Sequence, residues 1–270
     1  MPGRHPRSPA VVPRQPPPRS KPAPTGGQAA GTPVVCPPPL QTAMDSAEFW
    51  TICAANGIIL EPWQIQALER YARELRYWNE RVNLISRRDI EHLYERHFLH
   101  ALSVLKYVNL PERARCLDIG TGAGLPGIPL AIARPDLHML LVESVAKKAR
   151  LVALFAAHTG LRHLQVKRAR VEELHAHPSF RSAFDYAFAR AVAPLATLVE
   201  WSQPLLKPSG ALIAYKGGEL EEELRAACES FPSLQCTIHD IQLYGAPWFE
   251  ENRKRLVVCR FASSSPDAPV

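Results

Sequence analysis

Apolar positions take up a helical rhythm only after a long lead-in. Asp45 or Ser46 can cap a helix reaching about Asn56, since a short polar side chain accepts first-turn amides that lack an intrahelical partner. Glu61-Pro62 opens a longer helix, in which Ile65, Leu68, Tyr71, Leu75 and Trp78 recur at helical spacing. A third helix is expected from roughly Asp89 to Val108, with Leu93, His97, Leu102 and Leu105 on one side. Residues 44–109 therefore read as a small helical cap. Beyond it the rhythm alternates between strand and helix. Strands are expected at Arg115–Ile119, His138–Glu143, Leu164–Arg168, Phe184–Ala189, Ala211–Tyr215, Cys236–Leu243 and Arg255–Phe261, with helical runs between the first five. Such alternation makes a doubly wound parallel sheet. Gly245-Ala246-Pro247-Trp248 reads as a long turn, so the last two strands form an antiparallel hairpin at the sheet edge. The expected fold class is α/β, with a seven-stranded, mostly parallel sheet over residues 110–262 and a flexible tail at 263–270.

Composition changes the picture at the N-terminus. Residues 1–43 hold half of the 26 prolines, five basic residues and no acid. A segment so poor in apolar surface cannot offset its ordering entropy, and it reads as a disordered or untranslated leader, with Met44 opening the ordered pattern. The formal net charge of +6, less those five basic residues, leaves about +1 for the rest. The basic balance is thus mostly a property of the leader and does not by itself argue nucleic-acid binding. The six cysteines are scattered without C-x-x-C spacing, which suits thiols in a reducing compartment and gives no metal site. Neither a bilayer-spanning apolar run nor a signal-peptide core is present, so a cytoplasmic protein with no membrane partner is expected.

The chemistry gathers at Cys116-Leu117-Asp118-Ile119-Gly120-Thr121-Gly122-Ala123-Gly124-Leu125-Pro126-Gly127. A buried strand ends at an acid, a glycine-rich turn follows, and a helix begins whose free amides favour a polar or anionic group. Two frames fit. Gly122, Gly124 and Gly127 match the G-x-G-x-x-G of dinucleotide sites, which would make the protein an NAD(P)-dependent oxidoreductase. Asp118-x-Gly120-x-Gly122-x-Gly124 starts directly at the strand end and puts a carboxylate beneath the loop. A carboxylate there repels pyrophosphate but suits S-adenosylmethionine, which carries a sulfonium and an ammonium and no phosphate. This second frame resembles the first motif of class I methyltransferases.

Other candidates follow from strand ends, because ligands of open sheets bind outside the carboxyl edge. Glu143 closes the second strand, where an acid accepts ribose hydroxyls. Val171-Glu172 follows the third strand, near an adenine edge. Arg190 leaves the fourth, pointing toward cofactor or substrate, with an ion pair to Glu172 or Asp185 as the plainer alternative. Lys216 ends the fifth. Arg87, Arg88, Lys147, Lys148, Lys216 and Arg253 are candidates for an RNA-facing rim, although charge runs are usually just solvated faces. Asp118, Gly120, Gly122, Gly124, Leu125, Glu143, Val171, Glu172 and Arg190 form the candidate cofactor set.

Trp78-Asn79 with Val82-Asn83-Leu84, Arg96-His97, Asp118 through Pro129, Arg170-Val171-Glu172-Glu173, Arg190-Ala191 and Lys216-Gly217 together resemble the bacterial small-subunit ribosomal RNA guanine-N7 methyltransferase family, from about Leu60 to Phe261. The resemblance implies a class I methyltransferase, Rossmann-like fold with a helical cap, and S-adenosylmethionine held at Gly120, Leu125, Val171, Glu172 and Arg190. It implies 16S ribosomal RNA or a small-subunit particle as partner, and a monomeric enzyme. His100 stands where the family usually has Asp. Guanine N7 has a free lone pair, so transfer needs alignment rather than a general base; no catalytic residue is fixed, and Arg190 is the candidate for positioning. A cofactor-fold ribosome-assembly factor without transfer activity and a small-molecule methyltransferase are the other readings.

Overall fold

The computed structural model describes residues 43–261, so the leader expected at 1–43 lies outside them except for Ala43, as does the tail at 263–270. Helix α1 (Ser46–Ala55) starts where Asp45 accepts the Glu48 amide at 2.8 Å. Helix α2 (Pro62–Asn79) starts at a reciprocal pair, the Glu61 side chain bonding the Gln64 backbone and Gln64 answering at the Glu61 amide. Its buried face is Ile65, Leu68, Tyr71, Ala72 and Leu75. Each such leucine stabilises by about 1.5–3 kcal/mol relative to an exposed one.

The third cap helix is not the regular one expected. The chain runs through a 3₁₀ turn (Ile90–His92), a π-helical stretch (Tyr94–Leu99), and short helices α3 (His100–Leu102) and α4 (Val104–Tyr107). Every residue from His97 to Val104 is buried, so this part of the segment is packed on all sides and shows no simple one-sided period. Such π-helical insertions are frequent at functional sites.

The sheet contains β1 (Arg115–Ile119), β2 (His138–Glu143), β3 (Leu164–Arg168), β4 (Phe184–Arg190), β5 (Leu206–Gly217), β6 (Leu234–Asp240) and β7 (Lys254–Phe261), ordered β3-β2-β1-β4-β5-β7-β6. The first five are parallel, and β7 runs antiparallel between β5 and β6. Helices α5 (Gly127–Ala133), α6 (Ala146–Thr159), α7 (Leu195–Ser202) and α8 (Glu221–Ser230) make crossovers, and the one-turn α9 (Trp248–Glu251) sits in the last turn. Between β3 and β4 the expected helical run is instead a pair of 3₁₀ turns, Val171–Ala176 and Pro178–Phe180. Pro178 steers His177 away from helical backbone, which ends the first turn.

Alternate strand residues feed two cores. Cys116, Phe188, Ile213 and Tyr215 face the cap side, where Phe49, Tyr71, Phe98 and Phe155 interlock. Leu117, Ala187, Leu212 and Val257 face α7 and α8. The cap-side core passes without a break from α1 and α2 into the sheet. Gln64 donates to the Ile132 and Ala133 carbonyls at the end of α5, and Tyr71 donates to Ala123 in the glycine turn at 2.7 Å. The cap thus holds the turn it covers.

Candidate functional site

Asp118 ends β1 and is fully buried. Its Oδ2 accepts the Thr121 hydroxyl at 2.5 Å and the Gly127 amide at 2.9 Å, while Oδ1 has no partner. The carboxyl lies under the loop and shapes it, because a side chain with no exposed atom cannot meet a ligand directly. Burial pushes its pKa up to about 7, against the hydrogen bonds from Thr121 and Gly127 and the nearby Arg190. A side chain at Gly127 would strike that carboxyl oxygen at 2.7 Å, which accounts for glycine there without any ligand.

Gly122 differs from its neighbours in the turn. At φ +62° it needs backbone that side-chain-bearing residues rarely adopt, and the space beyond its Cα holds nothing closer than the loop's own Gly120 carbonyl at 3.9 Å. Beneath it, buried Glu143 accepts the Gly122 amide at 3.0 Å and the Val145 amide at 2.8 Å, one at each oxygen. Those bonds leave further lone-pair directions on the carboxylate for ribose hydroxyls. A cleft of about 120 Å³ opens alongside, lined by Ile119, Gly120, Val142, Val171, Glu172 and Trp201, among others. An open glycine, a buried acid and a narrow apolar slot suit a nucleoside such as that of S-adenosylmethionine. Leu125 and Val171 are buried, whereas Glu172 is exposed. Gly124 serves packing, since a Cβ there would lie 2.5 Å from Ile128 and 3.0 Å from the Tyr71 hydroxyl.

A second cleft, of about 410 Å³, lies between cap and sheet. The β4 exit separates the two. Ala191 has φ +55°, strained for any residue with a side chain. Arg190 before it lines the second cleft, and Val192 after it lines the first. Arg190 pairs with neither Glu172 nor Asp185. Its guanidinium donates to the Arg96 carbonyl at 3.3 Å and meets His97 Nδ1 at 2.9 Å. Arginine can only donate, so His97 Nδ1 accepts and the imidazole carries its proton on Nε2. Burial, then Arg190, hold His97 down to about 3, so the ring is neutral. His100 is also neutral, pushed far down by burial and packed edge-on against Tyr215 and Phe249.

Trp248 closes this cleft with Arg96 at 5.6 Å and Lys254 at 5.0 Å from its ring. Burial, then Arg190, lower Lys254 from its ordinary value. Against Arg96, Arg190, Lys216 and Lys254, the lining carries one carboxylate, Asp89, which is already paired with Arg96. The sequence reading missed Trp248 and Lys254 as site residues. Their signal was weak: one sat in an expected turn and the other in a basic run. Trp78-Asn79 proves structural, since Asn79 ties down the next loop through Leu84 and Ile85.

The RNA-rim candidates are dispersed. Lys147 and Lys148 open α6 just past β2, and Arg253 precedes β7, all at the sheet edge that carries the glycine turn. Lys216 and Arg253 are engaged by Glu223 and Glu219. Arg87 lines a separate open groove of about 990 Å³ with Arg76 and Arg81, and Arg88 is exposed beside it.

A model of the family described as rRNA small subunit methyltransferase G matches residues 64–256. The chain is 43% identical over 178 residues to ribosomal RNA small subunit methyltransferase G of Roseiflexus castenholzii, covering 66% of this chain and 75% of that protein. With the protein of the same name from Roseiflexus sp. strain RS-1 it shares 39% over 220 residues, 81% of this chain and 90% of the other. A solved Corynebacterium glutamicum protein superposes with TM-score 0.50 at 15% identity, over 73% of this chain and 92% of that one, a likeness of fold alone. These relatives displace the dinucleotide oxidoreductase reading. The chain belongs to the rRNA small subunit methyltransferase G family, enzymes whose methyl donor is S-adenosylmethionine.

Proposed function

We propose that the protein methylates N7 of a guanine in 16S ribosomal RNA, free or within a small-subunit particle, as a cytoplasmic monomer. The observation that carries this reading is the pair of adjoining clefts. A narrow slot lined by Gly120, Val171 and Glu172, beside the turn that Glu143 holds through Gly122, adjoins a cationic, tryptophan-walled cleft across the strained Ala191. When bound, S-adenosylmethionine supplies an electrophilic methyl group. Gly122 leaves room for it, Glu143 accepts its ribose hydroxyls, and the backbone at Val171 with Glu172 borders the adenine. Leu125 and Gly120 shape the loop around it.

Guanine N7 is an unprotonated nucleophile at neutral pH, so the protein's task is alignment, and alignment alone supplies up to roughly 7–11 kcal/mol in well-oriented systems. Arg190 is the positioning group. Held at two points by the cap, it presents a fixed cation where the clefts meet. Trp248 offers a face on which a base stacks, at about 1–3 kcal/mol per base in single-strand sites. Arg96 and Lys254 sit beside it for phosphate. Arg96 already has Asp89 as its partner, but Lys254, crowded by Arg190, is relieved when an anion arrives, which gives the RNA a reason to bind there. N7 lies in the deep groove of paired RNA, so the target base comes from a loop or distorted helix.

The test is to map N7-methylguanine on 16S RNA by reduction and aniline cleavage, with and without the protein. A single mark that appears with active protein and S-adenosylmethionine supports the reading. RNA binding without any transfer would replace it with the assembly-factor alternative, and transfer to small molecules alone would move the substrate class.

A further inference from the structure

Three cysteines meet at the sheet edge farthest from β3. Cys236 on β6 and Cys259 on β7 are register partners across the antiparallel ladder, and their sulfurs are 3.2 Å apart. Cys228, on α8, lies near enough to Cys236 to influence its ionisation. The three are graded in exposure: Cys228 is exposed, Cys236 half-buried and Cys259 buried. Leu117, Leu212 and Val257 would make the same apolar face without thiols, and the clefts described above use none of the three residues.

We propose that Cys236 and Cys259 form a reversible, peroxide-sensitive dithiol site. Cys236 is the attacking sulfur. It is reachable from solvent, and the hydrogen bond from Cys259 lowers its pKa despite the opposing effect of burial. Its thiolate attacks one oxygen of hydrogen peroxide, the O–O bond breaks, and hydroxide leaves. The product is Cys236 sulfenic acid, the sulfur being oxidised as the peroxide is reduced. The Cys259 sulfur then attacks the Cys236 sulfur, the S–O bond breaks, and the Cys259 proton leaves with the oxygen as water. Antiparallel partners have Cα separations of about 4.5–5.5 Å, inside the range a disulfide spans. The hydrogen bond with Cys236, then burial, raise the Cys259 pKa, so this thiol is unreactive alone and is useful only to a neighbour already oxidised. The new bond closes the segment from β6 through α9 to β7, which carries Trp248 and Lys254 of the second cleft. Oxidation would therefore tether the wall of the methyl-acceptor side. Disulfides in a reducing compartment are typically transient and redox-sensing, which suits a reversible bond.

The experiment treats the full chain with excess hydrogen peroxide, alkylates remaining thiols, and maps linked peptides by mass spectrometry with and without dithiothreitol. The expected result is loss of two alkylatable thiols, one linked peptide pair containing Cys236 and Cys259, and full recovery on reduction. Cys236→Ser, at a half-exposed position, should abolish the link, and Cys228→Ser should leave it. Cys259→Ala serves as a second probe in which Cys236 stops at the sulfenic acid, detectable with dimedone. Unchanged thiols under peroxide would overturn the proposal. So would a bridge mapped to Cys228 and Cys236, or a link that survives in Cys236→Ser.

Discussion

The two clefts are built in opposite ways. The glycine-turn side is made from consecutive residues, Asp118 to Gly127, plus one acid at the end of the neighbouring strand. Its geometry is set by backbone: Asp118 gathers the turn, Glu143 fixes it from below, and Tyr71 pins it from above. The cap-side cleft is made from segments far apart in the chain, Asp89 to His100, Arg190, Tyr215 to Gly217, and Trp248 to Lys254. Its geometry is set by side chains held against one another. A site of the first kind tolerates change in side chains but not in backbone. A site of the second kind is sensitive to single side chains.

The largest effect should come from Arg190, the joint between the two. Lysine has one ammonium and cannot reach the Arg96 carbonyl and His97 Nδ1 as a planar fork does. Arg190→Lys and Arg190→Ala should each slow single-turnover methyl transfer on the order of 100-fold. Arg190→Ala should also cost about 1–3 kcal/mol of stability, because it strands two buried acceptors. The contacts to the cap are what make this a stability effect as well as a catalytic one. Wild-type transfer by both variants would reduce Arg190 to a strut.

A smaller effect separates ligand space from backbone strain. Gly122 and Gly160 both have positive φ, and a side chain at either would meet open space. Gly160 ends α6 and lines neither cleft. Alanine at each position should cost a similar ~1–2 kcal/mol of stability. Only Gly122→Ala should weaken S-adenosylmethionine in calorimetry, by at least about tenfold, since one misplaced methyl group in a fitted slot costs over 1 kcal/mol. Equal binding by both variants would mean that the open face of Gly122 is not the cofactor's.

This contrast also governs what could be read from the sequence. The five parallel strands follow from alternation, and β1, β2 and β3 lie where the apolar runs put them. The glycine turn was legible because its chemistry is contiguous. Its internal contacts were not: the bonds that hold Asp118 under the loop and the close approaches to Gly124 and Gly127 exist only in the folded chain. The cap-side cleft was mostly illegible. The run from His97 to Val104 has no one-sided period, so it takes the folded chain to show a π-helical stretch that sets His97 against Arg190. Trp248 needed the hairpin to bring it across to Arg96.

At a single pH the least visible effects are two opposed pH slopes, one from the glycine turn and one from the cap-side cleft, which partly cancel in the wild type. Asp118 has an ordinary pKa near 3.8 and about 7 in the fold. Between those values the folded protein keeps a proton that the unfolded chain has lost, so rising pH removes stability across that window. His97 goes the other way, from 6.5 down to about 3. Between those values the unfolded chain takes up a proton that the folded protein refuses, so falling pH removes stability. In the wild type the two slopes partly cancel between about pH 4 and 6.5. Asp118→Asn keeps an acceptor for Gly127 and Thr121 but does not titrate, and His97→Asn keeps an acceptor for Arg190 in place of Nδ1. Relative to wild type, Asp118→Asn should gain stability as pH rises from 4 toward 7, on the order of 2–4 kcal/mol in all. His97→Asn should gain a comparable amount as pH falls from 6.5 toward 4. Denaturant titrations at closely spaced pH values would resolve both curves. If Asp118→Asn shows no slope against wild type, the carboxyl is ionised and matched by Arg190, and the turn is held by charge rather than by a buried neutral acid. If His97→Asn shows none, the imidazole is solvated, and Arg190 has no rigid anchor in the cap.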